Sequence, residues 1–194
     1  MASSKLPLPI IGPIGEPRLE PVPGVEGKFN GVMAWRPELL DAFFKFYAQV
    51  WTDGVLDVRV KDLARMKIAR TVGCRMCQNT RFKVAEDATS EDDYLDIDDV
   101  ENGAYTDAEK AALRYVETFC VGAAHVTDEM VAELRAHFSE AEIIELSVLV
   151  AAMSGFASIN VALNIAPDTE ELQMFDFAAP VSKPPRLPAR PSNA

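Results

Sequence analysis

Proline is confined almost entirely to the two ends of this chain. Eleven of the 13 prolines lie in residues 1–25 or 180–194, and none falls between Pro37 and Pro167. Proline lacks an amide donor and clashes with the preceding helical turn, so the ends are closed to long helices while the middle is open to them. The expected organisation is an extended arm over 1–28, a helical domain over 29–179 and a flexible tail over 180–194.

Within the middle, apolar residues recur at helical spacing. Pro37 at a first-turn position precedes Leu39, Leu40, Phe43, Phe44, Tyr47 and Val50, a pattern that predicts a helix. A second helix is expected over 60–72, with Val60, Leu63, Ala64, Ile68 and Val72 inward and Lys61, Arg65 and Arg70 largely outward. Gly73 would end it, and a third helix would begin near Cys74. Thr106 with Glu109, and Ser139 with Glu142, are capping-box pairs that open two further helices, and Thr127 can cap a short one reaching about Phe138. Residues 146–167 carry no charge over 22 positions, long enough to span a bilayer. Ser147, Ser154, Ser158, Asn160 and Asn164 interrupt the run, so it reads as a central helix buried on most sides. No alternating strand pattern stands out, and the expected fold class is all-α.

Charge narrows the function classes. The formal net charge is −11, which disfavours a phosphate backbone as partner; neither nucleic acid nor a membrane is expected as one. Three cysteines make no disulfide framework, and the first residues lack a continuous apolar signal, so a cytoplasmic location is the expectation. The charge is unevenly spread. Residues 59–83 hold eight basic side chains against Asp62 alone, and residues 86–109 hold eleven carboxylates and no base. That acidic run lacks the glycine an EF-hand loop requires at its sixth position, so it reads as a solvated segment able to cover its basic neighbour.

Cys74 and Cys77 lie inside the basic segment. A C-x-x-C at a helix start brings two sulfurs within reach of a reversible disulfide, and a helix N-terminus favours a thiolate. On electrostatics alone Cys74 would be the more acidic thiol. The segment Asp62 to Arg81, reading DLARMKIARTVGCRMCQNTR, resembles the carboxymuconolactone decarboxylase and alkyl hydroperoxidase D-like (AhpD-like) family. That family has Glu twelve residues before the first Cys, then C-x-x-C, then His four residues after the second. The likeness covers about Pro37 to Pro167, with a weaker echo in Phe156 to Ile165.

The resemblance implies a homo-oligomeric helical bundle, trimeric or hexameric, without a cofactor or metal. It also implies a thiol peroxidase in which Cys77 attacks a hydroperoxide, Cys74 resolves the sulfenic acid and an external thiol reductant restores the pair. Asp62 stands at the Glu position and Arg81 at the His position. Aspartate can still accept a proton, but arginine cannot shuttle one near neutral pH; it can favour a thiolate or bind a carboxylate or peroxide oxygen. The catalytic set expected is therefore Cys77, Cys74, Asp62 and Arg81. A decarboxylase or lyase acting on a small carboxylated metabolite held by Arg81 stands as an alternative, as does a non-catalytic helical module with packed cysteines. Cys120 and His125 could complete a Cys₃His zinc site with the pair. His125 is also a candidate general base, whereas His137 near a helix end needs no role.

Overall fold

A computed structural model describes residues 15–178, and the fold is an all-α bundle. The tail expected over 180–194 and the first part of the arm lie outside the described residues. Residues 15–27 form no helix and run along the body of the molecule. The Arg18 amide donates to the Leu163 carbonyl at 2.8 Å, the Trp35 indole donates to the Glu20 carbonyl at 2.8 Å, and Val22 is buried.

The helices are α1 (Lys28–Met33), α2 (Pro37–Thr52), α3 (Val58–Val72), α4 (Arg75–Asn79), α5 (Asp107–Gly122), α6 (Asp128–Arg135) and α7 (Glu140–Ala162). Pro37 occupies the first turn of α2, and the Thr106 and Ser139 capping boxes are formed, each side chain satisfying an otherwise orphaned amide. One short helix and two strands escape the sequence reading. Helix α1 is too short to show a period, and strands β1 (Thr80–Phe82) and β2 (Gln173–Phe175) pair in parallel over three residues each. That pairing sets Phe82 opposite Phe175, folding the segment after α7 back beside the cysteines.

Helix α3 is the axis, packed against both α5 and α7. The core gathers Tyr47 and Trp51 from α2, Ile68 from α3, Val116 from α5, and Leu146, Leu149 and Val150 from α7. The outward placement expected for Lys61 and Arg65 is wrong. Both are buried, as are Asp62 and Lys67, because α3 is enclosed on every side and its charges meet partners inside. Lys61 pairs with Glu145 of α7 and donates to the Val50 carbonyl at 2.9 Å, and Lys67 pairs with Glu117 of α5 at 3.0 Å.

Helix α7 departs from expectation in the opposite sense. It is long and apolar enough to cross a membrane by length and composition, yet only 28% of its most apolar stretch is buried in the fold. Its outward positions Ile144, Val148, Ala151, Gly155 and Ser158 are apolar or small rather than charged, so a helix without charge beyond Glu145 leaves an uncharged face outward.

The turn between α3 and α4 places the cysteines. Gly73 caps α3 in the left-handed region at φ 77°, and the Cys74 amide returns to the Ala69 carbonyl at 2.9 Å. Only glycine adopts that conformation without strain. Gly73→Ala is expected to cost about 1 kcal/mol or more. Differential scanning calorimetry should show the melting midpoint falling by roughly 2–4 °C for each kcal/mol in a chain this size.

Candidate redox site

Cys74 and Cys77 form a disulfide, with their Cα atoms 5.3 Å apart. Cys74 is the N-cap of α4, its sulfur accepting from the Cys77 amide at 3.1 Å. With five residues, α4 is little more than one turn, so it supplies little of the helix-end field expected to favour Cys74. Access separates the two sulfurs more clearly. Cys74 is 0% exposed, whereas Cys77 is half-buried and forms part of the wall of a cavity of about 220 Å³. Asn160 of α7 lies behind the pair, its amide nitrogen 3.6 Å from the Cys74 sulfur and 3.8 Å from that of Cys77.

The aromatic wall of the cavity is drawn from several parts of the fold, with Phe29 of α1 at its edge. Phe43, Phe44 and Tyr47 come from α2, Phe156 from α7, Phe82 from β1 and Phe175 from β2. Their rings contact one another, Phe43 against Tyr47 at 5.1 Å and Phe44 against Phe175 at 5.6 Å between centroids. Arg65 brings a cation to this aromatic enclosure while itself 0% exposed. Its Nε donates to Asp62 at 2.6 Å, its Nη1 donates to the Cys77 carbonyl at 2.9 Å, and its guanidinium carbon lies 5.0 Å from the Phe82 ring centre. Its Nη2 has no hydrogen-bond partner within the protein, and neither has Asn160 Oδ1; the Tyr47 hydroxyl has the buried Trp51 indole as its neighbour but no hydrogen bond of normal geometry.

Asp62 lies behind Arg65, outside the cavity wall. One carboxylate oxygen accepts from Arg65; the other accepts from Thr89 at 2.7 Å and from the Tyr94 hydroxyl. Burial alone would raise the Asp62 pKa, but the Arg65 charge and these hydrogen bonds outweigh it and hold the group below the usual carboxylate value. An ionised, fully engaged carboxylate is a poor proton acceptor. Burial, reinforced by the Asp62 charge, pushes the Tyr94 phenol up to about 12.

Arg81 is turned away from the sulfurs. It forms a bidentate pair with Glu91 at 2.5 and 2.8 Å, donates to the carbonyls of Gln78 and Thr80, and covers the Tyr94 ring at 4.9 Å. The guanidinium proposed to hold a substrate carboxylate is thus committed to the protein's own carboxylate and carbonyls. Asp62 and Arg81 meet through Tyr94, and their network reaches the cavity only through Arg65. Arg65, Tyr47 and the aromatic wall were not singled out by the sequence as site residues. The one available signal was an arginine three residues after Asp62 in an otherwise apolar run, with both side chains on one helical face.

The dense positive charge around the cysteines is neutralised from outside its own segment. Arg59 binds Asp93 and Glu109, Arg70 binds Asp98, Arg81 binds Glu91 and Lys83 binds Asp176. The acidic run therefore lies against the basic one. Elsewhere, His125 and His137 are exposed, away from the cavity. Cys120 is a free thiol pushed up to about 11 by burial and by Glu117. Among the described residues no three His, Cys, Asp or Glu side chains converge as metal ligands, so the Cys₃His alternative is not assembled.

No family model matches the chain. Among curated proteins it is similar to the uncharacterized Escherichia coli protein YnjA, 33% identical over 112 residues, covering 57% of this chain and 62% of that one. It is also similar to the uncharacterized Mycobacterium tuberculosis protein Rv2313c, 30% identical over 152 residues, covering 76% and 52%. The chain thus matches between about half and three fifths of these relatives' lengths. The helical bundle is an AhpD-like fold. An AhpD-related protein of unknown function from Agrobacterium tumefaciens superposes with a TM-score of 0.63 at 24% identity, covering 72% of this chain and 97% of that one. The debrominase Bmp8, solved with 2,3,4-tribromopyrrole, superposes with a TM-score of 0.64 at 18% identity, covering 75% and 79%.

Two consequences are measurable. Asp62→Asn strands the Arg65 charge in the interior, and urea denaturation should show a loss of about 3–5 kcal/mol. The double variant Asp62→Asn/Arg65→Met, which removes that charge, should recover most of it. The Arg59 hydrogen bond holds the Asp93 carboxyl at about 2. A depressed folded pKa gives stability that is present above the unfolded value and lost as pH falls through the folded one. The melting midpoint should therefore drop between roughly pH 4 and pH 2, and Asp93→Asn should be less stable at neutral pH with a shallower acid drop.

Proposed function

We propose that this protein is a dithiol–disulfide oxidoreductase that reduces organic hydroperoxides, with Cys77 attacking and Cys74 resolving. The observation that carries this reading is the asymmetry of the sulfurs. Cys77 faces a half-open cavity, and Cys74 is wholly buried within bonding distance behind it. A substrate can reach only the first, and only the second is placed to capture what forms there. Fold relatives described as an alkylhydroperoxidase AhpD core and as peroxidase-related proteins support the same direction.

The chemistry balances without a cofactor. The Cys77 thiolate displaces an alkoxide from the hydroperoxide, taking its terminal oxygen as sulfenic acid while the alkoxide gains a proton and leaves as alcohol. Cys74 then attacks the sulfenic sulfur, giving the disulfide and water. An external dithiol returns two electrons and two protons. Asp62 and Arg81 act in this scheme as positioning residues: Asp62 fixes Arg65, which holds the Cys77 carbonyl, and Arg81 closes the Tyr94 side of the network.

The test is sulfenic-acid trapping with dimedone followed by mass spectrometry, in a Cys120→Ser background. Cys74→Ser should accumulate the adduct at Cys77 after hydroperoxide treatment, and Cys77→Ser should neither trap it nor consume hydroperoxide. Hydroperoxide consumption by Cys77→Ser at the parent rate, or no adduct in either variant, would overturn the reading.

A further inference from the structure

The cavity over Cys77 has a more specific character than a general peroxide channel. Its walls are aromatic on several sides, and of its polar residues Arg65, Tyr47 and Asn160 are buried, while Asn30, Thr80, Asp168 and Gln173 complete the lining. Arg65 Nη2 is a donor, Asn160 Oδ1 is an acceptor and the Tyr47 hydroxyl can act as either, and none makes a hydrogen bond of normal geometry in the protein. All three residues are at least nine-tenths buried. A buried polar atom without a partner costs about 1–3 kcal/mol, so three around one cavity mark the place of a complementary group.

The charges say what kind of group. Arg65 is already neutralised by Asp62 at 2.6 Å, and the one carboxylate in the wall is Asp168. An anionic ligand would add a charge that Arg65, already paired, does not balance and that Asp168 opposes, and it would give Asn160 Oδ1 nothing to accept. A neutral O–H group does better. Its oxygen accepts from Arg65 and Tyr47 while its hydrogen goes to Asn160. The space sets the size. An apolar cavity on the order of 150 Å³ holds one benzene, so about 220 Å³ suits one ring with a short branched substituent.

We propose that this cavity binds a compound with a single aromatic ring bearing a neutral hydroperoxyl or hydroxyl group. The ring lies among Phe43, Phe44, Phe156 and Phe82, and the oxygen sits at Arg65, Tyr47 and Asn160 beside Cys77. The proposal rests on the hydroperoxide reading for its chemical consequence, since the product alcohol would occupy the same contacts as the substrate. Tyr47 and Arg65 then hold the oxygen that leaves as alkoxide. Burial keeps the Tyr47 phenol protonated, above its ordinary value even against the opposing Arg65 charge, so it has a proton to give.

The site can be tested without turnover, on the disulfide form. Isothermal titration calorimetry would compare 2-phenyl-2-propanol, the alcohol left when cumene hydroperoxide is reduced, with tert-butanol, benzoate and isopropylbenzene. The aromatic alcohol should bind saturably, and tert-butanol and benzoate at least about tenfold more weakly. Tyr47→Phe, which keeps the ring, should weaken the aromatic alcohol by about fivefold while leaving isopropylbenzene unchanged. Asn160→Ala should act in the same sense. Equal binding of tert-butanol, tighter binding of benzoate, or no effect of either variant would overturn the proposal. A protein that binds the alcohol selectively yet consumes no cumene hydroperoxide when reduced would keep the site and remove the peroxidase reading.

Discussion

The buried pair of Arg65 and Asp62 is the interaction on which the rest of the site depends. Two charges taken out of water lose several kcal/mol of hydration each, and attraction between them repays that only when their remaining donors and acceptors are also met. Here they are met by groups from four directions. Asp62 accepts from Thr89 and Tyr94, and Arg65 donates to the Cys77 carbonyl and lies over Phe82. The pair therefore fixes the orientation of α4 relative to α3, anchors the start of the acidic segment, and sets one edge of the aromatic cavity. Its one unmet atom, Arg65 Nη2, is what the site offers to a ligand.

The same logic explains the charge distribution. A helix enclosed on all sides normally reads as apolar throughout, yet α3 carries four buried ionisable side chains. Each is paired: Lys61 with α7, Lys67 with α5, and Arg65 with Asp62 in its own helix, while half-exposed Arg59 spans α5 and the acidic segment. Removing one partner strands a charge in the core, so only one arrangement of these elements leaves every charge answered. The eleven carboxylates of residues 86–109 are thus a counterpart to the basic segment as well as a solvated surface.

Much of the fold was legible because its signals are local. Proline placement delimited the helical region, and the Thr106 and Ser139 capping boxes marked helix starts to the residue. The disulfide pair was legible for the same reason, since three residues of separation fix sulfur proximity. What was not legible depends on partners far away in sequence. Arg65 reads as a surface residue because an arginine beside an apolar face is ordinarily exposed, and its burial follows from α5 and α7 packing on both sides. The aromatic residues read as core, which they are; that they enclose a space follows from the parallel pairing of Thr80–Phe82 with Gln173–Phe175, two strands too short to show a pattern. The outer face of α7 shows the converse, an apolar helix that composition alone would bury.

The departure at the His position has a structural answer. An arginine there could have served the thiols only by pointing at them, and Glu91, two backbone carbonyls and the Tyr94 ring hold it elsewhere. Neither histidine approaches the pair, and Asp62 is held ionised by its donors. On the proposed reading a proton exchanged beside Cys77 comes from the cavity side, where Tyr47 is the only titratable hydroxyl in the wall. A helix of five residues contributes little field at Cys74, and of the two sulfurs that of Cys77 belongs to the residue lining the cavity. The cavity, Tyr47 and the half-buried Cys77 thus lie together, while the Arg65–Asp62 pair and the charged network behind it hold them in place.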